Sequence, residues 1–370
     1  MRVAVFGRFR FKSANGVDRT VEGHLRQLVR REHHVTLVTY EKPSVEAEQV
    51  LSELGVSVVV MPSNFLLSCI ACIGLRGSYD LVCMHSVFTY RNWVVPLFLE
   101  CPWIVTPNGG YSPGQLAFKR PRLKKLALFL FEKRLLNKAL AVHVLSKAEA
   151  KQVIEVAPSA VVVMAPNGCD VATRDAMPLA PFNGEARFLF VGRVAWMHKG
   201  LDLLVNGLLK IPEELAWRLD VVGPYFQGQK DYLIGCLGGS YAGRRVFFHG
   251  AVYGDDRDKF LDECHIFVHT SRWEGMPFAV VEALLAGRPV IVTEGTNMAD
   301  MVIKYNAGWV VSGNDVEAAL LSAISTSWDE IRRKGLNARK LAAEELNWNS
   351  IGAHLFGEIE NKLFKLNGIC

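Results

Sequence analysis

Short runs of β-branched and other apolar residues recur along the whole chain, each parted from the next by a stretch with helical period. They fall at residues 3–6, 35–39, 56–61, 81–84, 103–106, 142–145 and 161–165, then again at 188–191, 219–222, 246–249, 266–269 and 290–292. Strands buried on both faces and alternating with helices build parallel, doubly wound sheets, so this rhythm predicts an α/β fold. A chain of 370 residues is long for one core. The series breaks once, between residues 166 and 181, where Asn167-Gly168 and further prolines interrupt any period. We expect two Rossmann-like domains, 1–165 and 182–346, joined by a linker at 166–181. Ligands of such sheets bind beyond the carboxyl ends of the strands, and two facing domains place the site in a central cleft.

The segment richest in chemistry lies in the second series. Glu274 and Glu282 stand eight positions apart around Gly275-Met276-Pro277, and Gly287-Arg288-Pro289-Val290 closes the stretch. A helix opens at Pro277, where a fixed φ and a missing N–H cost nothing, and passes Val280, Glu282 and Leu285 before stopping at Gly287. Glu274 then sits in the loop before the helix, and Glu282 about a turn and a half inside it. The amides of Met276, Phe278 and Ala279 face the loop with the positive end of the helix dipole behind them, which is a site for phosphate. Two carboxylates beside it accept hydrogen bonds from sugar or ribose hydroxyls, and a nucleotide-sugar supplies both partners. The spacing alone equally describes an ordinary loop acid and an ordinary helix acid; Ser271, Gly275, Pro277 and Gly287-x-Pro289 argue against that reading.

These residues resemble the retaining glycosyltransferases of family 4, a GT-B family whose E-x7-E signature reads Ser-Arg-x-Glu-Gly-x-Pro followed by Glu-Ala and Gly-x-Pro-Val. Residues 271–290 match it closely. The similarity continues in Val191-Gly192-Arg193, Lys199-Gly200-Leu201-Asp202, Pro166-Asn167-Gly168-Cys169-Asp170 and Val221-Val222-Gly223-Pro224, and runs loosely through the first half. It implies the GT-B fold, with a helix in residues 347–370 returning to the first domain. It also implies transfer of a sugar from a nucleoside diphosphate sugar to a hydroxyl acceptor with retention of configuration, without a metal or further cofactor, the leaving phosphate assisting as base.

Carried over to this sequence, the resemblance gives Glu282 the ribose hydroxyls and Glu274 the sugar, while Arg193 and Lys199 neutralise the departing diphosphate. Taken alone, that Arg and Lys would read as solvated surface charges. Gly223, Gly275, Met276, Pro277 and Phe278 border the donor phosphates, and Gly16 lets the backbone approach from the first domain. Asn15 replaces the first glycine of the family's Gly-Gly turn; asparagine tolerates the left-handed region, so the turn is expected to survive. Gly7-Arg8-Phe9-Arg10 lacks the G-x-G-x-x-G of a dehydrogenase. Many relatives carry His or Arg where Asn108 stands, and an amide cannot shuttle a proton, so Asn108 and His85 are both candidates for the sugar or acceptor contact. His143, alternating inside an apolar run, reads as core.

Charge separates the halves. Residues 1–165 hold 21 Lys or Arg against 12 Asp or Glu (+9), and the remainder 21 against 25 (−4). The excess concentrates at Arg8, Arg10, Lys12 and Arg19 and in the stretch 119–140, where Lys119, Arg120, Arg122, Lys124, Lys125, Lys133 and Arg134 interleave with Leu123, Leu126, Phe129 and Leu130. This is either an interfacial helix that meets an anionic membrane surface, or a solvated helix whose apolar side faces the core. A lipid-linked or glycan acceptor suits the same charge; no zinc-finger, helix-turn-helix or aromatic RNA-binding motif supports nucleic acid. The longest apolar run, residues 65–75, is too short to span a bilayer, and the first residues lead directly into a strand, so we expect a cytoplasmic protein, peripheral on the inner membrane face if the basic stretch docks there. The eight cysteines are scattered in apolar surroundings, and Cys69-x-x-Cys72 reads as core packing rather than a metal or redox pair.

The expected function is thus a retaining, metal-independent glycosyltransferase acting on a lipid-linked or polysaccharide precursor of a bacterial surface glycan. A GT-B nucleotide-sugar epimerase and a catalytically silent binding subunit of a polysaccharide assembly complex are the alternatives. The intact Arg193, Lys199 and two glutamates speak against silence.

Overall fold

The structure is a computed structural model that describes residues 1–370 except 12–14, 174–178, 227, 312, 314, 367, 369 and 370. Lys12 therefore lies outside the described residues. The chain divides into two compact units, Met1–Asn167 with Trp348–Cys370, and Gly168–Asn347.

The first unit carries seven strands, β1 (Arg2–Phe6), β2 (His34–Thr39), β3 (Ser57–Val60), β4 (Leu81–His85), β5 (Trp103–Thr106), β6 (Ala141–Val144) and β7 (Val162–Met164). They form one parallel sheet in the order β3-β2-β1-β4-β5-β6-β7. Side chains alternate across a strand, so each strand feeds two cores. Val3 and Val5 join Leu25 and Leu28 of the helix Gly16–Arg30, with Leu355, Phe356 and Ile359 of the final helix Trp348–Leu366. Ala4 and Phe6 join Cys69 and Cys72, Val94 and Val95, and Leu135 and Leu136 on the opposite face. Gly23 is where the first and last helices meet: an added Cβ would stand 2.3 Å from the Trp348 ring.

The second unit holds β8 (Ala186–Val191), β9 (Trp217–Val222), β10 (Val246–Gly250), β11 (Ile266–His269), β12 (Val290–Thr293) and β13 (Gly308–Val311), parallel in the order β10-β9-β8-β11-β12-β13. Phe188, Phe190, Leu219, Val221, Ile266 and Val268 pack against the helices Leu201–Leu208 and Gln229–Leu237.

Sequence periodicity misses β13. Its run is short and begins with glycine, and that glycine is what lets it pair: a Cβ on Gly308 would lie 1.9 Å from the Val290 carbonyl oxygen. Within the stretch 119–140 the backbone is helical from 121 to 137, as the helices Pro121–Ala127 and Lys133–Asn137 joined without a break through a π turn at Leu128–Glu132. Leu123, Leu126, Phe129 and Leu130 are all exposed, so the reading that buries them in the core is overturned. Cys69 and Cys72 are buried thiols in no disulfide, as are the other buried cysteines among the described residues. No described helix is long and apolar enough to cross a membrane.

Candidate active site

At the carboxyl ends of β8, β9 and β11 the backbone is crowded enough to require glycine. A Cβ on Gly223 would stand 1.9 Å from the Gly192 carbonyl oxygen, and one on Gly200, whose φ is +61°, 1.9 Å from that of Thr270. The first approach brings the turns after β8 and β9 together; the second sets the short helix Trp196–Lys199 against the end of β11.

Lys199 is delivered there to Glu274. Its ammonium donates to the Glu274 carboxylate, and both side chains are largely buried. Ser271 Oγ donates to the same oxygen at 2.8 Å, with His269 Nε2 at 3.6 Å and His198 Nε2 at 3.8 Å. Burial opposes the carboxyl's charge, but the Lys199 ammonium prevails and holds it well below the ordinary glutamate range. Burial in turn pushes His269 down to about 4 and lowers His198, so both rings are neutral at pH 7. His198 Nε2 donates to the Trp273 carbonyl at 2.9 Å. Arg193 is exposed just beyond Gly192, 5.7 Å from the Phe226 ring centroid.

The loop that carries Glu274 is fastened along its length. Arg272 forks onto Asp202 with two 2.6 Å bonds, and Thr293 Oγ1 donates to the Ser271 carbonyl at 2.5 Å. Asn297, at φ +59°, donates to the carbonyls of Glu274 and Gly275 at 2.7 and 2.8 Å. A loop pinned this way is preorganised for a ligand rather than shaped by it. Met276, Pro277 and Phe278 are buried at the start of the helix Phe278–Leu285, which has no side-chain cap. Gly275 is half-buried beside them. Glu282 lies inside that helix, its two oxygens 3.2 Å from Nη1 of Arg257 on the helix Gly254–Glu263. The sequence reading missed Asn297, Arg257 and the Arg272–Asp202 pair. No spacing announces Asn297 or Arg257, whereas Arg272 and Asp202 both sit inside motifs already singled out for neighbouring residues.

In the first unit, Gly16 starts the helix Gly16–Arg30. Asn15 is its N-cap with extended φ of −85°, and its Oδ1 accepts from Val17 N at 2.9 Å. Asn15 thus serves the turn as a helix cap, without using the left-handed region that asparagine tolerates. Asn108 does take the left-handed region, at φ +55°, and spends its side-chain amide on the Thr106 carbonyl at 3.0 Å. The turn is secured by Glu149, whose carboxylate accepts from Gly109 N at 2.5 Å and Leu145 N at 2.7 Å. His85 ends β4, buried, with neither ring nitrogen partnered among the described residues, and lines a cavity of about 300 Å³ with Arg8, Tyr40, Arg91 and Asn92. His143 is core: its Nε2 donates to the Ala165 carbonyl at 2.8 Å, and Thr106 Oγ1 stands 3.2 Å from Nδ1.

Comparison with known proteins adds to this geometry. Residues 185–330 match the family described as glycosyl transferases group 1, and residues 15–168 the glycosyl transferase 4-like domain. An uncharacterized glycosyltransferase of Methanocaldococcus jannaschii is 29% identical over 170 residues, 45% of this chain and 43% of that protein. The O-antigen chain mannosyltransferase B of Escherichia coli is 27% identical over 153 residues, 40% of this chain and 39% of that one. The chain spans less than half the length of these curated relatives. Among solved structures, the sucrose-phosphate synthase of Thermosynechococcus elongatus superposes with TM-score 0.78 at 19% identity, over 99% of both chains. Anabaena HepE in complex with UDP and glucose gives 0.76 at 16%, over 97% of this chain and 99% of that one.

Proposed function

The chain belongs to the GT-B glycosyltransferases, and from that premise we propose that it moves a sugar from a nucleoside diphosphate sugar to an acceptor hydroxyl with retention of configuration. The observation that carries the donor half is the buried Lys199–Glu274 pair on a loop pinned from three sides. A donor diphosphate draws Lys199 away from Glu274 and adds Arg193, and the released carboxylate takes a sugar hydroxyl. Glu282 takes the ribose hydroxyls. The amides that open the helix Phe278–Leu285 cap the distal phosphate.

The bond from the anomeric carbon to the diphosphate oxygen breaks as the acceptor oxygen bonds to the same face of that carbon. The acceptor's proton passes to the leaving phosphate, so the chain itself supplies electrostatic stabilisation rather than a nucleophile. The acceptor is read as a lipid-linked or polysaccharide precursor of a bacterial surface glycan. The name of the Escherichia coli relative supports it, as does the +9 balance of residues 1–165. A further relative named a GDP-mannose-dependent mannosyltransferase puts GDP-mannose first among donors to try.

The test is product analysis. Donor turnover with a glycolipid acceptor should yield a glycoside whose anomeric proton keeps the donor's configuration. An inverted product rejects retention, and an altered nucleotide-sugar formed without acceptor marks an epimerase instead.

A further inference from the structure

One face of the first sheet is covered by three helical elements whose outer sides are apolar. The helix Phe65–Gly74 contains no charged residue. Ser68, Cys69 and Cys72 face the core, while Leu66, Ile70 and Ile73, one helical stripe, are 65%, 56% and 53% exposed. Beside it runs the helix Tyr90–Phe98: Tyr90 meets the Phe65 ring edge-on at 5.7 Å, and Leu97 is 71% exposed. Trp93 of that helix stacks on Phe131 at 4.3 Å, which continues the face into the π turn. Buried Glu132 holds that turn from inside by accepting from Phe88 N at 2.7 Å and Trp93 Nε1 at 2.8 Å. The turn leaves Leu123, Leu126, Leu130 and Phe129, the last 79% exposed, on the outside.

A contiguous apolar surface of this kind needs a cover. Charge says which. From 111 to 140 the only acidic residue is the buried Glu132, whereas Lys119, Arg120, Arg122, Lys125, Lys133, Arg134 and Lys138 are all exposed. Among the described residues, Arg122, Lys125, Lys133 and Arg134 have no acidic partner. Exposed leucine and phenylalanine flanked by unpaired lysine and arginine match an anionic lipid interface, where side chains enter the acyl boundary and cations meet headgroups. A second copy of the chain would bring the same cations against themselves.

We propose that the helices Phe65–Gly74 and Tyr90–Phe98 and the stretch 118–134 form a docking surface for an anionic bilayer. It deepens the acceptor half of the reading above, since a lipid-linked acceptor resides in that surface, but binding to lipid needs no donor.

The full chain is sedimented with phosphatidylcholine vesicles with and without phosphatidylglycerol. Retention should be at least about tenfold greater on the anionic vesicles and should fall with added salt. Arg122→Glu/Lys125→Glu and, separately, Leu66→Gln/Ile70→Gln/Ile73→Gln should each lower it about tenfold or more. Each variant must keep the wild-type melting temperature and circular dichroism, which certifies its fold. Equal retention on both vesicles, retention on neither, or retention unchanged by either variant overturns the surface. So does a dimer, seen by light scattering, that the glutamine variant dissolves while vesicles hold nothing. Loss of donor stabilisation in the wild type with vesicle binding intact would strike the transferase reading alone.

Discussion

Lys199 and Glu274, 75 residues apart in sequence, form an ion pair whose side chains are only 13% and 14% exposed. Two charges removed from water together are tolerable; one alone is not. Lys199→Ala should destabilise the second unit by about 3–5 kcal/mol at neutral pH. Lys199→Met/Glu274→Gln, which removes both charges, should recover most of that in urea unfolding. The folded Glu274 carboxyl lies below its unfolded value, so the pair's contribution is present above about pH 4.3 and lost as pH falls further. A double variant as unstable as the single would show that the charge pairing is not what matters.

Arg193 differs from Lys199 in being exposed, beside Phe226, so its removal leaves no buried charge stranded. Arg193→Ala should leave the melting temperature within a degree or two and cut turnover by about 10²–10³, as loss of one charge-stabilising donor does. Wild-type kcat in a folded variant removes Arg193 from the diphosphate.

Asn297 has no expected part in chemistry, only in holding the loop. Asn297→Ala loses two hydrogen bonds and puts a side chain that prefers negative φ at +59°, which should weaken donor binding by roughly tenfold. Asn297→Gly keeps the backbone conformation and loses only the bonds, so it should fall between alanine and wild type. Equal behaviour of the two variants would assign the effect wholly to the side-chain amide.

Three buried imidazoles cluster in the first unit, with His24 4.7 Å from His85 and 5.1 Å from His143 between ring centroids. Burial drives His85 down to about 3 and His143 to about 4, and His24 well below its ordinary value, with the charges of His85 and His143 adding to the effect at His24 and that of His143 at His85. The folded rings stay neutral while the unfolded ones protonate near pH 6.5, so stability is full above about 6.5 and declines towards pH 4. His24→Leu should flatten that decline by up to about 1.4 kcal/mol per pH unit, the slope of one proton. An unaltered slope in chemical unfolding between pH 6.5 and 4.5 would contradict the neutral cluster.

The strands were legible because burial on both faces writes unbroken apolar runs, and the loop at Glu274 because its chemistry is compressed into a few adjacent positions. What stayed hidden depends on partners remote in sequence. Asn297 is 22 and 23 residues from the carbonyls it holds, and Arg257 is 25 from Glu282. Gly308 earns its place through Val290. The helix Phe65–Gly74 carries no charge to mark which side meets the sheet, so burial of Cys69 and Cys72 was legible but the exposure of Leu66, Ile70 and Ile73 was not. The alternatives for 119–140 could not be separated by period either, since a π turn shifts the register in mid-stretch.

The most direct measurement is the melting temperature of the wild type and Glu282→Ala against a panel of nucleoside diphosphates and their sugars, GDP and UDP first. A ligand bound by the native state alone raises the midpoint. A rise with one diphosphate that vanishes in Glu282→Ala is expected and fixes the base; no rise with any of them, or one that survives the substitution undiminished, contradicts a donor site built on Glu282.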